Sequence, residues 1–209
     1  MKLLHFALLI PALAFPLFAQ DSPPGEKTGT EPKLKSRFYQ QQTPFAGEIT
    51  RGVLTAQQTQ FSFVLPAGFR SDTASASKKF SLISTSFTCS ITAEIHETAV
   101  EGKADLKPET AREQIVSRHA GTKIVDEFSA NLESMSGPAF EAEWKSEAGT
   151  LMTTRTAFVP YAAGHIEFNF QAPASEIRRY DYAFNQLLTS FRSSPVGAEL
   201  VVQEFSEEL

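Results

Sequence analysis

Residues 140–170 read FEAEWKSEAGTLMTTRTAFVPYAAGHIEFNF, and the fold turns on them. Phe140, Ala142 and Trp144 alternate with Glu141, Glu143 and Lys145, the period-two pattern of a half-buried strand. Glu147-Ala148-Gly149 makes a short connection, Met152 to Phe158 returns, and Pro160 to Gly164 turns again. Ile166, Phe168 and Phe170 then alternate with His165, Glu167 and Asn169. Links this short join antiparallel neighbours, because a parallel pair needs a crossover of about a dozen residues or more. The stretch is an antiparallel meander. Beyond it, Ser175 can cap a helix whose Ile177, Tyr180, Phe184, Leu187, Leu188 and Phe191 follow helical spacing, and that stripe has to lie on the sheet.

Upstream, Phe61, Phe63 and Leu65 alternate with polar neighbours and stop at Pro66-Ala67-Gly68. Phe80 to Phe87 is another β-rich run. In Thr88–Glu97, Cys89, Ile91, Ala93 and Ile95 alternate with Ser90, Thr92, Glu94 and His96. A helix fits 108–120, with Pro108 at its first position, a stripe of Ala111, Ile115 and Val116, and Gly121 at its stop. A weak strand begins at Ile124-Val125. The expected fold is α+β, a single antiparallel sheet with packed helices. Cys89 shares its strand face with Ile91 and Ile95 and reads as core, as does Trp144 beside Phe140.

Around this domain, residues 1–19 begin positively charged, run apolar and end in Ala19, the pattern of a cleavable signal peptide. Pro11 and Pro16 weaken a helix there, and Leu3–Ala19 is at the short limit for spanning a bilayer, which disfavours a retained anchor. Residues 20–44 read as a flexible linker on their Pro, Gly and charge content, 45–192 as one domain with a short strand near 49–55, and 193–209 as a loosely held acidic tail. An exported, periplasmic or extracellular protein is expected. A net charge of −5 argues against a nucleic-acid binder, and one cysteine excludes an intrachain disulfide framework.

Certain segments have a familiar order. FSFVLPAGF (61–69) precedes a mid-chain helix, then come GPAFEAEW (137–144), the meander, and a last helix ending QLLTSFR (186–192). This order over about residues 58–192 resembles the Mog1/PsbP-like superfamily, including the small exported PsbP-related proteins of bacteria. The resemblance implies an α/β/α sandwich and an accessory or binding role. It brings no catalytic motif that can be carried over residue by residue.

The sequence contains no GxSxG, HExxH, P-loop, GxGxxG or EF-hand motif. Ser75-Ala76-Ser77-Lys78 matches SxxK, but the SDN and KTG elements that give that motif its meaning are lacking. His119 lies at a helix end, where a cation complements the macrodipole. His96 and His165 each share a strand face with a carboxylate, Glu94 and Glu167. If those strands pair, the four side chains converge into a two-His, two-carboxylate candidate site for a divalent metal, although an ordinary polar sheet face reads the same way. Phe38, Tyr39 and Phe45, with Arg178 and Arg179 on the last helix, are candidates for partner docking.

The leading expectation is an exported, non-catalytic binding or accessory module of the cell envelope, without cofactor, whose partner is an envelope protein. It has no transmembrane segment once the leader is cut. The alternatives are a metal-binding protein or metal-dependent enzyme using the His96/His165 face, and a carrier of a small apolar ligand between sheet and last helix.

Overall fold

The computed structural model describes residues 34–44, 47–56, 58–72, 78–97, 106–132, 135–161 and 164–198, all within one compact unit, Glu31–Leu209. The expected leader, linker residues 20–33, Phe45, the serines of the SxxK match and tail residues 199–209 lie outside the described residues. In chain order the strands are β1 (Lys35–Thr43), β2 (Gly47–Ala56), β3 (Thr59–Val64), β4 (Phe69–Asp72), β5 (Lys79–Ser84) and β6 (Ser90–Glu97). Helix α1 (Pro108–Arg118) follows, then β7 (Lys123–Leu132), β8 (Met135–Lys145), β9 (Leu151–Tyr161) and β10 (Gly164–Pro173). A short 3-10 turn (Ile177–Tyr180), α2 (Asp181–Ser190) and β11 (Arg192–Pro195) complete the described chain. No helix among the described residues is long and apolar enough to cross a membrane.

The meander forms as its alternation predicts: β8, β9 and β10 pair antiparallel in sequence order. Two sheets stand where one was expected. The larger runs β4-β5-β6-β10-β9-β8-β7 and the smaller β1-β2-β3-β11, and every pair is antiparallel. The smaller sheet adds two outer strands, β1 and β11, from segments at or beyond the expected edges of the domain, to β2 and β3 inside it. Lys35–Thr43, inside the expected linker, pairs along its whole length with β2. Arg192–Pro195, which crosses from the expected domain end at 192 into the expected tail, pairs with β3. Polar side chains mask both strands, because only Phe38 of β1 reaches the core.

The two faces of the larger sheet bury different partners. Ile91, Ala93, Ile95, Ala157, Val159, Ile166, Phe168 and Phe170 join Leu54, Phe61 and Phe63 of the smaller sheet and Phe184 and Leu187 of α2 in one core. Phe168 and Phe170 are fully buried, each stabilising the fold by roughly 1.5–3 kcal/mol. Phe191 is its hub, with ring centroids 4.8 Å from Phe168, 5.5 Å from Phe61 and 6.3 Å from Phe63. The opposite face carries a second cluster, in which Ala111 and Ile115 of α1 cover Phe140, Ala142 and Phe158. Phe140 and Ala142 of β8 therefore point away from the main core and toward α1, whereas Ala139 joins the main core. Val116, read as part of the helix stripe, is 44% exposed. The last helix also departs from expectation. It starts as the 3-10 turn at Ile177, and no side chain caps it, Ser175 included.

Candidate functional site

The meander returns β10 to lie beside β6, and that closure brings His96 and His165 together. In the register of the pair, His165 stands directly opposite His96, and Glu167 opposite Glu94. The imidazoles stack with centroids 4.7 Å apart and planes 11° from parallel. His96 Nε2 lies 3.9 Å from Glu94 Oε1 and 3.8 Å from Glu167 Oε2, buried and without a hydrogen-bond partner. Glu167 is already engaged: Arg118, in the last turn of α1, donates to both its carboxylate oxygens at 2.7 Å. Burial pushes the His165 pKa below its ordinary value, the neighbouring His96 adds to that, and Glu167 partly opposes it. All four predicted residues thus share one outer face beside the end of α1. Among the described residues no group of three or more His, Cys, Asp or Glu side chains is arranged so that it could hold a metal ion.

A second cluster forms where three connections meet. The loop between β5 and β6 carries Phe87 in the left-handed region at φ +58°, and no other described non-glycine residue has positive φ. Holding an aromatic residue there costs on the order of 1–2 kcal/mol. The loop is over-determined. Phe87 N–H donates to Ser84 O at 2.8 Å, the Thr88 and Cys89 amides donate to Ser84 Oγ at 3.2 Å, and Thr85 N–H donates to Gly68 O at 2.8 Å. The Tyr180 hydroxyl ties Ser86 Oγ at 2.8 Å and Thr88 Oγ1 at 3.0 Å to the 3-10 turn. The result is a rigid loop that holds the Phe87 ring 68% exposed, with the Arg70 guanidinium 4.7 Å from its centroid. Tyr182, 51% exposed, donates its hydroxyl to Ala67 O in the neighbouring turn. Arg179, 73% exposed, leans over the Tyr180 ring.

The docking candidates read from the sequence divide. Arg179 belongs to this aromatic and cationic surface. Arg178, equally exposed, instead lines a groove of about 530 Å³ with Val125, Asp126, Phe128, Glu141, Glu143 and Arg155. In that groove Arg155 is committed to Glu141 at 2.6 Å and Asp181 at 2.7 Å. Phe38 faces inward, stacked 5.9 Å from Phe80 and edge-on 6.2 Å from Phe63, so it is unavailable to a partner. Tyr39 is half-buried in β1, and Phe45 lies outside the described residues. Trp144 is half-buried under the His119 ring, which stacks on it at 3.6 Å, so His119 covers an indole at the sheet surface. Cys89 is core, and burial raises its thiol pKa. The space among Leu54, Phe63, Phe80, Phe168 and Leu187 is too tight to hold even a water molecule, so the gap between sheet and last helix holds no apolar ligand in this conformation.

Sequence reading missed Phe87, Arg70 and Tyr182. Phe87 was taken as the end of a strand, yet β5 stops at Ser84. The available signal was the lone aromatic inside the hydroxyl-rich run Ser84-Thr85-Ser86-Phe87-Thr88, since Ser and Thr bond their own backbone and favour turns.

No protein-family model matches this chain, and no curated protein matches it either. Solved structures do. The chain is similar to cyanobacterial PsbP from Synechocystis, at 10% identity and a TM-score of 0.48, over 67% of this chain and 95% of that one. It is similar to LpqN, involved in cell envelope biogenesis of Mycobacterium tuberculosis, at 12% identity and a TM-score of 0.42, over 78% and 92%. A Pseudomonas aeruginosa protein of unknown function is similar at 13% identity and a TM-score of 0.40, over 71% and 92%. A PsbP is thus among the solved structures that the chain is similar to.

Proposed function

We propose that this chain is an exported, non-catalytic binding module of the cell envelope that docks a protein partner through the Phe87 loop. The observation that carries the reading is an exposed aromatic side chain held in a strained backbone by a dense hydrogen-bond network. Strain of this kind persists where the surroundings over-determine it and clusters at sites that use it. A free-standing fold gains nothing from a solvated phenylalanine at positive φ, whereas a partner gains a pre-ordered anchor whose entropy cost is met before binding. Arg70, Tyr182 and Arg179 around it are residue types that dominate interface energetics. Arg70 and Arg179, the latter shared with Glu176 at 3.6 Å, flank the ring on a chain of net charge −5, so the complementary partner offers an apolar pocket with carboxylates at its rim. Export rests on the leader sequence.

Crosslinked affinity capture from the native envelope tests the reading, with Phe87→Asn and Arg179→Glu compared against wild type and against Glu113→Lys on the exposed side of α1. A specific partner captured by wild type and Glu113→Lys, and lost from the two loop variants, supports the reading. Equal capture by Phe87→Asn sinks it. Phe87-dependent binding to protein-free anionic vesicles would replace the protein partner with a lipid surface.

A further inference from the structure

The seven-stranded sheet ends in two unlike edges. One is β4, four residues long, beside the Phe87 loop. The other is β7, ten residues long, which pairs with β8 and, among the described residues, with no strand on its other side. An edge of that length offers a row of main-chain N–H and C=O groups as a template for another chain. A bulge between Ile124 and Asp126 breaks the ladder near its start, which leaves Asp126–Leu132 as the regular stretch. Asp126 and Phe128 share the face of β7 that carries the core residues Ala130 and Leu132. Beyond the core, that face opens into the groove of about 530 Å³, inside the roughly 300–1,000 Å³ range of binding sites. Two apolar side chains line it in solvent, Val125 at 49% and Phe128 at 39% exposure. Its charges do not balance. Arg155 is committed to Glu141 and Asp181, and Arg178 reaches only Asp181, at 3.7 Å. Asp126 stands opposite Glu141, a like-charge cross-strand neighbour, and accepts only the Glu127 amide. Glu143 faces Lys123 in register without an ion pair between them.

We propose that β7 and this groove bind an extended peptide as an eighth strand of the sheet, one that carries a basic and an apolar residue two positions apart. Residues two apart on a strand share a face with Cα atoms about 7 Å apart. That is the spacing of Asp126 and Phe128, so the basic side chain meets the carboxylates while the apolar one covers Phe128. Main-chain pairing along the edge supplies affinity, and the groove supplies selectivity. The surface lies at the opposite edge of the sheet from the Phe87 loop, so the two work independently.

The test is selection from a displayed library of random heptapeptides on the immobilised full chain, with the enriched peptides then measured by fluorescence anisotropy. Expected are sequences with Lys or Arg two positions from an apolar residue. Their affinity falls about tenfold or more in Phe128→Ser and several-fold in Asp126→Asn and Glu143→Gln, while Phe87→Asn leaves it within about threefold of wild type. Thermal melts confirm that each variant folds, and the two carboxylate variants carry the test if Phe128→Ser does not. N-methylation of alternate peptide amides abolishes binding in one phase and spares it in the other, because an edge strand pairs through every second residue. No enriched peptide overturns the proposal, as do enriched peptides whose binding the β7 variants retain. Loss or retention in both N-methyl phases alike overturns the added strand. Dimerisation that Phe128→Ser abolishes, without peptide enrichment, overturns it in favour of a second copy of the chain on this edge.

Discussion

Phe87 sets a structural role and a functional role against each other in one side chain. At φ +58° asparagine is more comfortable than phenylalanine, so Phe87→Asn should leave the melting temperature unchanged or raise stability by up to about 1 kcal/mol. A loss of more than about 1 kcal/mol in thermal or urea unfolding would mean that the ring serves the fold. Tyr161 makes the opposite case. It is 8% exposed, packed edge-on to Phe61 at 5.3 Å, and its pKa is pushed up to about 12, chiefly by burial and then by Glu97. The folded state keeps the proton that the unfolded chain gives up near pH 10, so this stabilisation is complete below pH 10 and is lost between pH 10 and 12. Unfolding of Tyr161→Phe across that window should show a shallower alkaline decline, by at most roughly 2–3 kcal/mol. At this scale alternation was a good guide. It placed Cys89 in the core and Glu94 with His96 on one outer face. It could not reveal Phe87, because an apolar residue after a strand looks like more strand until the hydrogen bonds of the loop are known.

Among the elements, α1 is fastened to the sheet by the apolar contacts of Ala111 and Ile115 and by ion pairs, the half-buried Arg118–Glu167 and the exposed Arg112–Glu127. Arg118→Ala leaves a carboxylate that is 8% exposed without its partner and should cost roughly 2–3 kcal/mol. That is less than for a fully buried pair, because Arg118 keeps 27% exposure. Chemical denaturation measures it, and Arg118→Lys should recover part of the loss. Strand β8 carries a steric demand at Gly137, where a Cβ would sit 1.7 Å from the Phe158 carbonyl oxygen of β9. Gly137→Ala should therefore destabilise by about 1–3 kcal/mol through displaced backbone. Strand β1 shows where composition misleads. Its Gln-rich sequence has the polarity of a linker, and pairing with β2, a non-local fact, is what makes it a strand. Deleting residues 35–43 removes Phe38 from between Phe63 and Phe80. It should lower stability by at least about 2 kcal/mol, where loss of a true linker would leave the melt unchanged.

For the molecule as a whole, legibility followed the range of the interactions. The meander, α1 and the inward stripe of α2 are written in local periodicity and stand close to where periodicity places them. The second sheet, the meeting of β6 with β10 and the junction of three connections beneath Phe87 come from contacts between distant segments, which no period records. The His96/His165 face was stated as a condition on strand pairing, and the pairing satisfies the condition. That face is distinct from the docking loop, because it lies on β6 and β10 beside α1 whereas the Phe87 loop is braced by the 3-10 turn. On the proposed function, the strained Phe87 loop is the surface that meets the partner. Site-specific photo-crosslinking in the native envelope tests it most directly, with a photoreactive phenylalanine analogue at position 87 and, as control, at the exposed Val116 of α1. A single discrete adduct from position 87 and none from position 116 is the predicted result. No adduct at 87, or the same adducts from both positions, would contradict docking through this loop.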